Sequence, residues 1–164
     1  MKKLMLVLIA VIGFTAASQA QVNVSINIGS QPVWGPTGYD HVDYYYLPDI
    51  DSYYDVPNKV YVYKSGNTWH RSRKLPSSYG NYDLYNSHKV VINGVDKPYM
   101  HDDQYRDQYK NFKGQHDQTP IRDSKEEKYF ENRNHPQHAQ WVKDHGNNKG
   151  GNRGNNGNNG NGRH

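Results

Sequence analysis

The residues with the clearest binding chemistry mix aromatic rings with guanidinium groups in the middle of the chain. This set comprises Tyr61, Tyr63, Trp69, Arg71 and Arg73. Exposed Tyr and Trp rings beside Arg can stack on the faces of sugars or bases. A Trp side chain is usually largely buried, so Trp69 has a second interpretation as a core residue, which we favour.

The register of the hairpin that holds these residues decides between the two interpretations. A three-residue loop over 65–67 places Trp69 opposite Tyr63 and builds an aromatic row. A two-residue loop over 65–66 places Trp69 opposite Val62, on the aliphatic face of the sheet.

Acidic residues form a second candidate group. Asp49, Asp51 and Asp55 lie close together in the sequence and are candidate ligands for calcium. The EF-hand pattern fails, because Tyr54 stands where the loop needs Gly and Val60 where it needs a bidentate Glu. We therefore expect these carboxylates to face water or to pair with the basic residues of the following strands.

Nine His residues raise the question of a metal site. His135 and His138 are close in the sequence, and His101 precedes two Asp residues. Imidazole and carboxylate together suit Zn, Ni or Cu. However, no H-E-x-x-H motif is present, and a His-rich tract is only a compositional hint. We predict no metal site and no cofactor.

No residue is predicted to be catalytic. The chain has no Cys and no G-x-S-x-G motif, so it lacks the usual signatures of a nucleophile. A carboxylate pair of the glycosidase type stays open, because such a pair is recognised by its separation in space.

The elements that must hold these groups are short. Strand-forming runs over 42–46, 52–55, 59–64, 68–73 and 88–92, divided by turn residues, predict a small antiparallel meander sheet. Residues 98–112 have helical spacing and predict a helix whose stripe of His101, Tyr105, Tyr109 and Phe112 packs on that sheet. The predicted fold class is mainly β with one helix, followed by a disordered tail.

The chain divides into five predicted segments. Residues 1–20 have a basic start, an apolar run and small residues at Ser18 and Ala20, which is the pattern of a secretory signal peptide. Residues 21–38 predict an alternating strand over 21–28 and a linker, and residues 39–113 form a Tyr-rich β-domain. Residues 114–145 are polar and predicted mostly disordered, and the Gly/Asn-rich residues 146–164 are predicted disordered.

The signal-peptide pattern predicts export. We expect a periplasmic or secreted protein with no transmembrane segment in its mature chain. The net charge of +4 falls to +2 without Lys2 and Lys3, which argues against a nucleic-acid partner. Aliphatic residues are few, so the 15 Tyr residues must supply much of the core.

Several aromatic motifs occur in a fixed order. They are Asp43-Tyr44-Tyr45-Tyr46-Leu47-Pro48, Tyr53-Tyr54-Asp55, Tyr61-Val62-Tyr63, Trp69, Leu75-Pro76 and Lys97-Pro98-Tyr99 with His101 and Tyr105. With these motifs, the chain resembles a group of small exported proteins of Gram-negative bacteria that have no assigned activity. The resemblance covers residues 32–113 and implies export and a shared domain, but no catalytic residue.

Three functions follow as hypotheses. We expect a non-enzymatic, envelope-associated protein whose partner is a cell-envelope polysaccharide or protein. An alternative is carbohydrate or peptidoglycan binding through the Tyr, Trp and Arg set, which an exposed aromatic row favours. A second alternative is a carboxylate-dependent hydrolase, which a concave pocket with two Asp of perturbed pKa favours.

Overall fold

The structure is a computed structural model, and it describes residues 26–146. The predicted signal peptide, residues 21–25 of the predicted first strand and residues 147–164 of the predicted tail lie outside the described residues. Among residues 26–146, no helix combines the length and the apolar character needed to cross a membrane.

Five antiparallel strands form one sheet in the order β4-β3-β2-β1-β5. The strands are β1 Tyr44–Leu47, β2 Ser52–Asp55, β3 Val60–Ser65, β4 Thr68–Ser72 and β5 Val90–Ile92. The first four make a meander, and β5 returns to pair with the free side of β1. The predicted meander is therefore confirmed, and β4 and β5 are its two edges.

Both faces of the sheet are packed against other segments of the chain. Successive side chains of a strand point to opposite faces, so Tyr residues contribute to both cores. One face, called the Trp34 face, carries Tyr45, Tyr54 and Tyr61 against Trp34. The loop that brings Trp34 to the sheet passes so close at Gly35 that an added Cβ would lie 2.5 Å from the Tyr45 hydroxyl. Glycine is therefore required where this loop crosses the strands.

The opposite face, called the helix face, carries Tyr46, Tyr53 and Val62 beneath the helical segment. This segment consists of a 3-10 turn at Pro98–His101, helix α1 at Asp102–Tyr109 and a second 3-10 turn at Lys110–Phe112. The rings of Tyr105, Tyr109 and Phe112 pack on the helix face as predicted. His101 is exposed instead, since it ends the 3-10 turn before the α-helical spacing begins.

Residues 114–145 form defined turns and a helix, which contradicts the prediction that this segment is mostly disordered. Their backbone bonds to the N-terminal loop, with Ile121 N–H donating to Gly35 O and Thr37 N–H to Thr119 O. Ile121 and Tyr129 are fully buried there with Ile28 in a small separate core. The polar composition gave a wrong prediction of disorder, because a few buried side chains and satisfied backbone hydrogen bonds are enough to order a polar segment. The segment ends in helix α2, His138–Gly146.

The predicted N-terminal strand does not reach its expected end at residue 28. Residues Ile28–Ser30 form a 3-10 turn. The Asn27 side chain exchanges two hydrogen bonds with the main chain of Val42, at 2.7 and 3.0 Å. The side-chain amide of Asn27 therefore satisfies backbone groups that a neighbouring strand would otherwise satisfy. The alternation of apolar and polar residues, from which the strand was predicted, carries no sign of such a contact.

Candidate functional site

The β3–β4 hairpin carries four of the five predicted binding residues, and its register differs from both predicted alternatives. Lys64 pairs with Trp69, Tyr63 with His70, and Ser65 with Thr68 across a two-residue turn. Gly66 is the first turn residue and has a φ of 59°, which glycine adopts without strain. The turn therefore lies one residue later than the predicted two-residue loop.

This register separates the predicted residues into two groups. Trp69 and Arg71 lie on the helix face, as the second alternative predicted for Trp69, while Tyr61 and Tyr63 point to the Trp34 face. The single aromatic row of the first alternative does not form. Arg73 lies beyond the end of β4 and is exposed.

Tyr61 belongs to the core. Its ring meets Tyr54 edge-on at a centroid distance of 4.8 Å and stacks on Trp34 at 6.3 Å. Burial raises the pKa of its hydroxyl well above the ordinary value. A ring enclosed in this way cannot stack on a ligand.

Trp69 is half-buried at the outer edge of the sheet, where it lines a cleft of about 250 Å³. The indole packs on Tyr53 and Tyr99, at centroid distances of 5.9 and 5.5 Å. The Lys64 ammonium lies 5.9 Å from the ring centroid. We call this hollow the Trp69 cleft, and its lining residues include Lys64, Trp69, Tyr99, His101, Asp103 and Gln104.

A second hollow of about 220 Å³ lies beside Tyr63, on the opposite side of the hairpin. The Tyr63 and His70 rings stack there, with centroids 5.8 Å apart and planes 19° apart. We call it the Tyr63 cleft, and its lining residues include Tyr63, Lys64, Ser65, His70, Ser78 and Tyr79. Lys64 thus borders both clefts near the hairpin turn.

Arg71 holds a buried carboxylate. Its guanidinium bonds to Asp55 at 2.7 Å, and Asn58 donates two more bonds from its side chain to the same carboxylate. The bond to Asp55 raises the pKa of Arg71 above its ordinary value. The expected ion pairing between the acidic and basic strands therefore forms between Asp55 and Arg71. The main role of Arg71 is to compensate the buried negative charge of Asp55.

The other acidic residues of the predicted calcium group are also paired, but at separate places. Asp51 accepts a hydrogen bond from the Tyr46 hydroxyl at 2.9 Å and lies 3.2 Å from the Lys113 ammonium. Asp49 accepts from the Gly114 N–H at 2.7 Å. The three carboxylates of this group therefore have different partners and do not share one site.

Asp102, at the start of α1, is the second buried carboxylate. The Tyr53 hydroxyl donates to it at 3.0 Å, and Arg106 forms an ion pair with it one turn later. Burial raises the pKa of Tyr53, and the nearby charge of Asp102 raises it further. This network ties helix α1 to the centre of the sheet.

The side chains of His135 and His138 form hydrogen bonds with the backbone of their own segment. His135 is buried, and its Nδ1 accepts a hydrogen bond from the Gln137 N–H. His138 Nδ1 lies 2.8 Å from the Phe130 carbonyl. In the described part of the chain, no group of three or more His, Asp or Glu side chains could hold a metal ion.

Sequence reasoning missed the residues that complete the Trp69 cleft. Tyr99 and His101 come from the turn before α1, and Asp103 and Gln104 from its first turn. The ordered motif Lys97-Pro98-Tyr99 with His101 was the available signal, although nothing in the sequence placed it beside Trp69. Comparisons with protein-family models, with curated proteins and with solved structures found no match.

Proposed function

We propose that this chain is an exported, non-enzymatic protein of the cell envelope that binds a saccharide in the Trp69 cleft. One observation carries the proposal: the indole of Trp69 packs on Tyr53 and Tyr99, is only half-buried and borders an open, mainly polar cleft. Export rests on the pattern of residues 1–20.

The chemistry of the cleft suits a sugar. The apolar face of a sugar ring can pack on the indole, while its hydroxyl groups bond to the side chains around the rim. Asp103 supplies carboxylate acceptors and Gln104 both an acceptor and donors. Lys64 and Asp103 bring opposite charges to the cleft, and the third charged lining residue, Asp102, is already paired with Arg106. A neutral sugar therefore fits better than a charged one.

A hydrolase receives less support. Catalysis by a carboxylate pair needs one group free to donate a proton and one free to attack or to activate water. Asp55 and Asp102 are the buried Asp residues, and each already holds an Arg ion pair and further hydrogen bonds. Their bonds support a structural role, which favours binding without catalysis.

The test is a binding screen of the chain from Gln21 to His164 against purified peptidoglycan fragments and envelope polysaccharides. Trp69→Phe retains much of the packing on Tyr53 and Tyr99 but shrinks the exposed ring, and Asp103→Ala alters a side chain that is 95 % exposed. We expect each variant to bind at least tenfold more weakly, because each loses a direct ligand contact.

The matched control is Trp141→Phe, an equivalent change on helix α2 outside the cleft, which should bind normally. Melting curves should show that all three variants fold. Equal binding by the Trp69→Phe, Asp103→Ala and unaltered proteins, or binding to no envelope glycan, would overturn the proposal.

A further inference from the structure

The geometry points to a second saccharide site on the other face of the hairpin: the Tyr63 cleft, which takes an acidic sugar. This inference rests on the proposed function, because it assigns a further ligand to the same hairpin. It starts from the placement of two clefts of similar size, about 220 and 250 Å³, on opposite sides of two strands.

The Tyr63 cleft repeats the construction of the Trp69 cleft. Tyr63 is half-buried against the core of the Trp34 face, which fixes its ring in place. His70 is exposed and stacks on that ring, and Tyr79 adds a further aromatic side chain. The hydroxyls of Ser65 and Ser78 supply donors and acceptors for sugar hydroxyls.

The charge of the two clefts differs. The Tyr63 cleft is lined by Lys64 and His70 and by no carboxylate, whereas the Trp69 cleft contains Asp103. Within residues 26–146, the ion pairs leave Lys64, Arg73 and Lys74 of this hairpin region without a carboxylate partner. A carboxylate or phosphate on the sugar is therefore attracted to the Tyr63 cleft and repelled by Asp103 on the other side.

Two sites on opposite faces make the domain bivalent. The two clefts lie on opposite faces of the hairpin, so one molecule can hold a neutral sugar and an acidic sugar at the same time. When both sugars belong to long envelope polymers, one protein molecule links two polymer segments, and the linkage is stronger than either contact alone.

The experiment measures calorimetric binding of three probes to the chain from Gln21 to His164. The probes are neutral chitotetraose, tetragalacturonate as the carboxylate sugar and glucose 6-phosphate as the phosphate sugar. The two acidic probes show which anion the Tyr63 cleft accepts. Raising the salt concentration should weaken the binding of the acidic probe but not of the neutral one.

The variants separate the two clefts. His70→Ala and Tyr79→Ala change residues outside the buried core, so both proteins should fold. We expect each to bind an acidic probe at least tenfold more weakly and to leave chitotetraose unchanged. Asp103→Ala should show the opposite pattern, and the unaltered protein should bind both kinds of probe together.

The outcomes distinguish this inference from the function on which it rests. If chitotetraose binds through Trp69 and neither acidic probe binds, the second site is wrong and the proposed function stands. If an acidic probe binds but His70→Ala and Tyr79→Ala leave its affinity unchanged, the Tyr63 cleft is also wrong. If no probe and no envelope glycan binds, both proposals fail.

Discussion

Lys89 carries a charged side chain that is almost completely buried. Its side chain is 1 % exposed, directly before strand β5. The ammonium donates to the Tyr85 carbonyl at 3.1 Å, and no carboxylate lies within ion-pair distance among residues 26–146. Burial lowers the pKa of Lys89 from 10.5 to about 8, although the more distant charges of Asp83 and Asp49 oppose this shift.

The lowered pKa of Lys89 predicts a pH-dependent stability. A base whose pKa is lower in the folded state disfavours folding while it is protonated, so the free energy of unfolding should rise as pH passes 8. Between pH 7 and 9.5 the expected gain is about 2 kcal/mol. Lys89→Met keeps a long apolar stem without the charge, and should be more stable at pH 7 with little change up to pH 9.5.

Denaturant titrations of both proteins at the two pH values measure this effect. Lys128→Met is the control, because that ammonium is exposed and pairs with Asp40. If the unaltered protein gains no stability relative to Lys89→Met over this pH range, the pKa of Lys89 is not lowered in the folded state, and its ammonium is better solvated than its burial indicates.

The elements were predictable to different degrees. The meander followed from strand-forming runs and turn residues, because both are local properties of the chain. The hairpin register was not, since the Ser65-Gly66-Asn67 sequence allows turns that differ by one residue. The Trp69 cleft was half predictable: Trp69 was a candidate, but Tyr99 and Asp103 reach it only through the packing of the helix on the sheet.

Residues 115–146 are predicted to stabilise the domain. Truncation after Gly114 removes Ile121 and Tyr129, both fully buried, and the backbone bonds to the loop that carries Trp34. Burying such side chains contributes about 1.5–3 kcal/mol each. We expect the truncated protein to melt at least 10 °C lower, since a loss of 1 kcal/mol shifts the melting temperature by roughly 4–8 °C in a small domain.

Truncation after Gly146 is the matched control, because it removes the Gly/Asn-rich residues and leaves these contacts in place. It should leave the melting temperature unchanged. Ile121→Ala in the full chain should cost about 2–5 kcal/mol, as the loss of a large buried aliphatic side chain does. Equal melting of the chains that end at 114 and 146 would show that the segment does not stabilise the domain.

At the scale of the whole molecule, tyrosine replaces the aliphatic core of an ordinary domain. Tyr45, Tyr46 and Tyr53 are fully buried, and their hydroxyls donate to Gln31, Asp51 and Asp102. Each ring therefore provides a large apolar surface with a satisfied polar end. The same hydroxyls connect the sheet to the N-terminal loop and to helix α1, so the core and the surrounding segments form one hydrogen-bonded unit.

A core built in this way predicts alkaline unfolding. Burial raises the pKa values of Tyr45, Tyr46, Tyr53 and Tyr61, whereas the unfolded chain ionises at about 10. An acid with a raised pKa stabilises the fold below its unfolded pKa, and that stability is lost as pH rises above it. Four such groups act together, so stability should fall steeply above about pH 10.

Absorbance of tyrosinate at 295 nm and circular dichroism, followed in one pH titration, test this coupling. Exposed rings such as Tyr39 should ionise first, and the buried rings should ionise in one step that coincides with the loss of β structure. Tyr61→Phe should make the fall in stability less steep, because one coupled hydroxyl is absent. If the full tyrosinate signal develops while the dichroism stays native, the rings ionise within the folded protein, and the core is more accessible to water than its packing indicates.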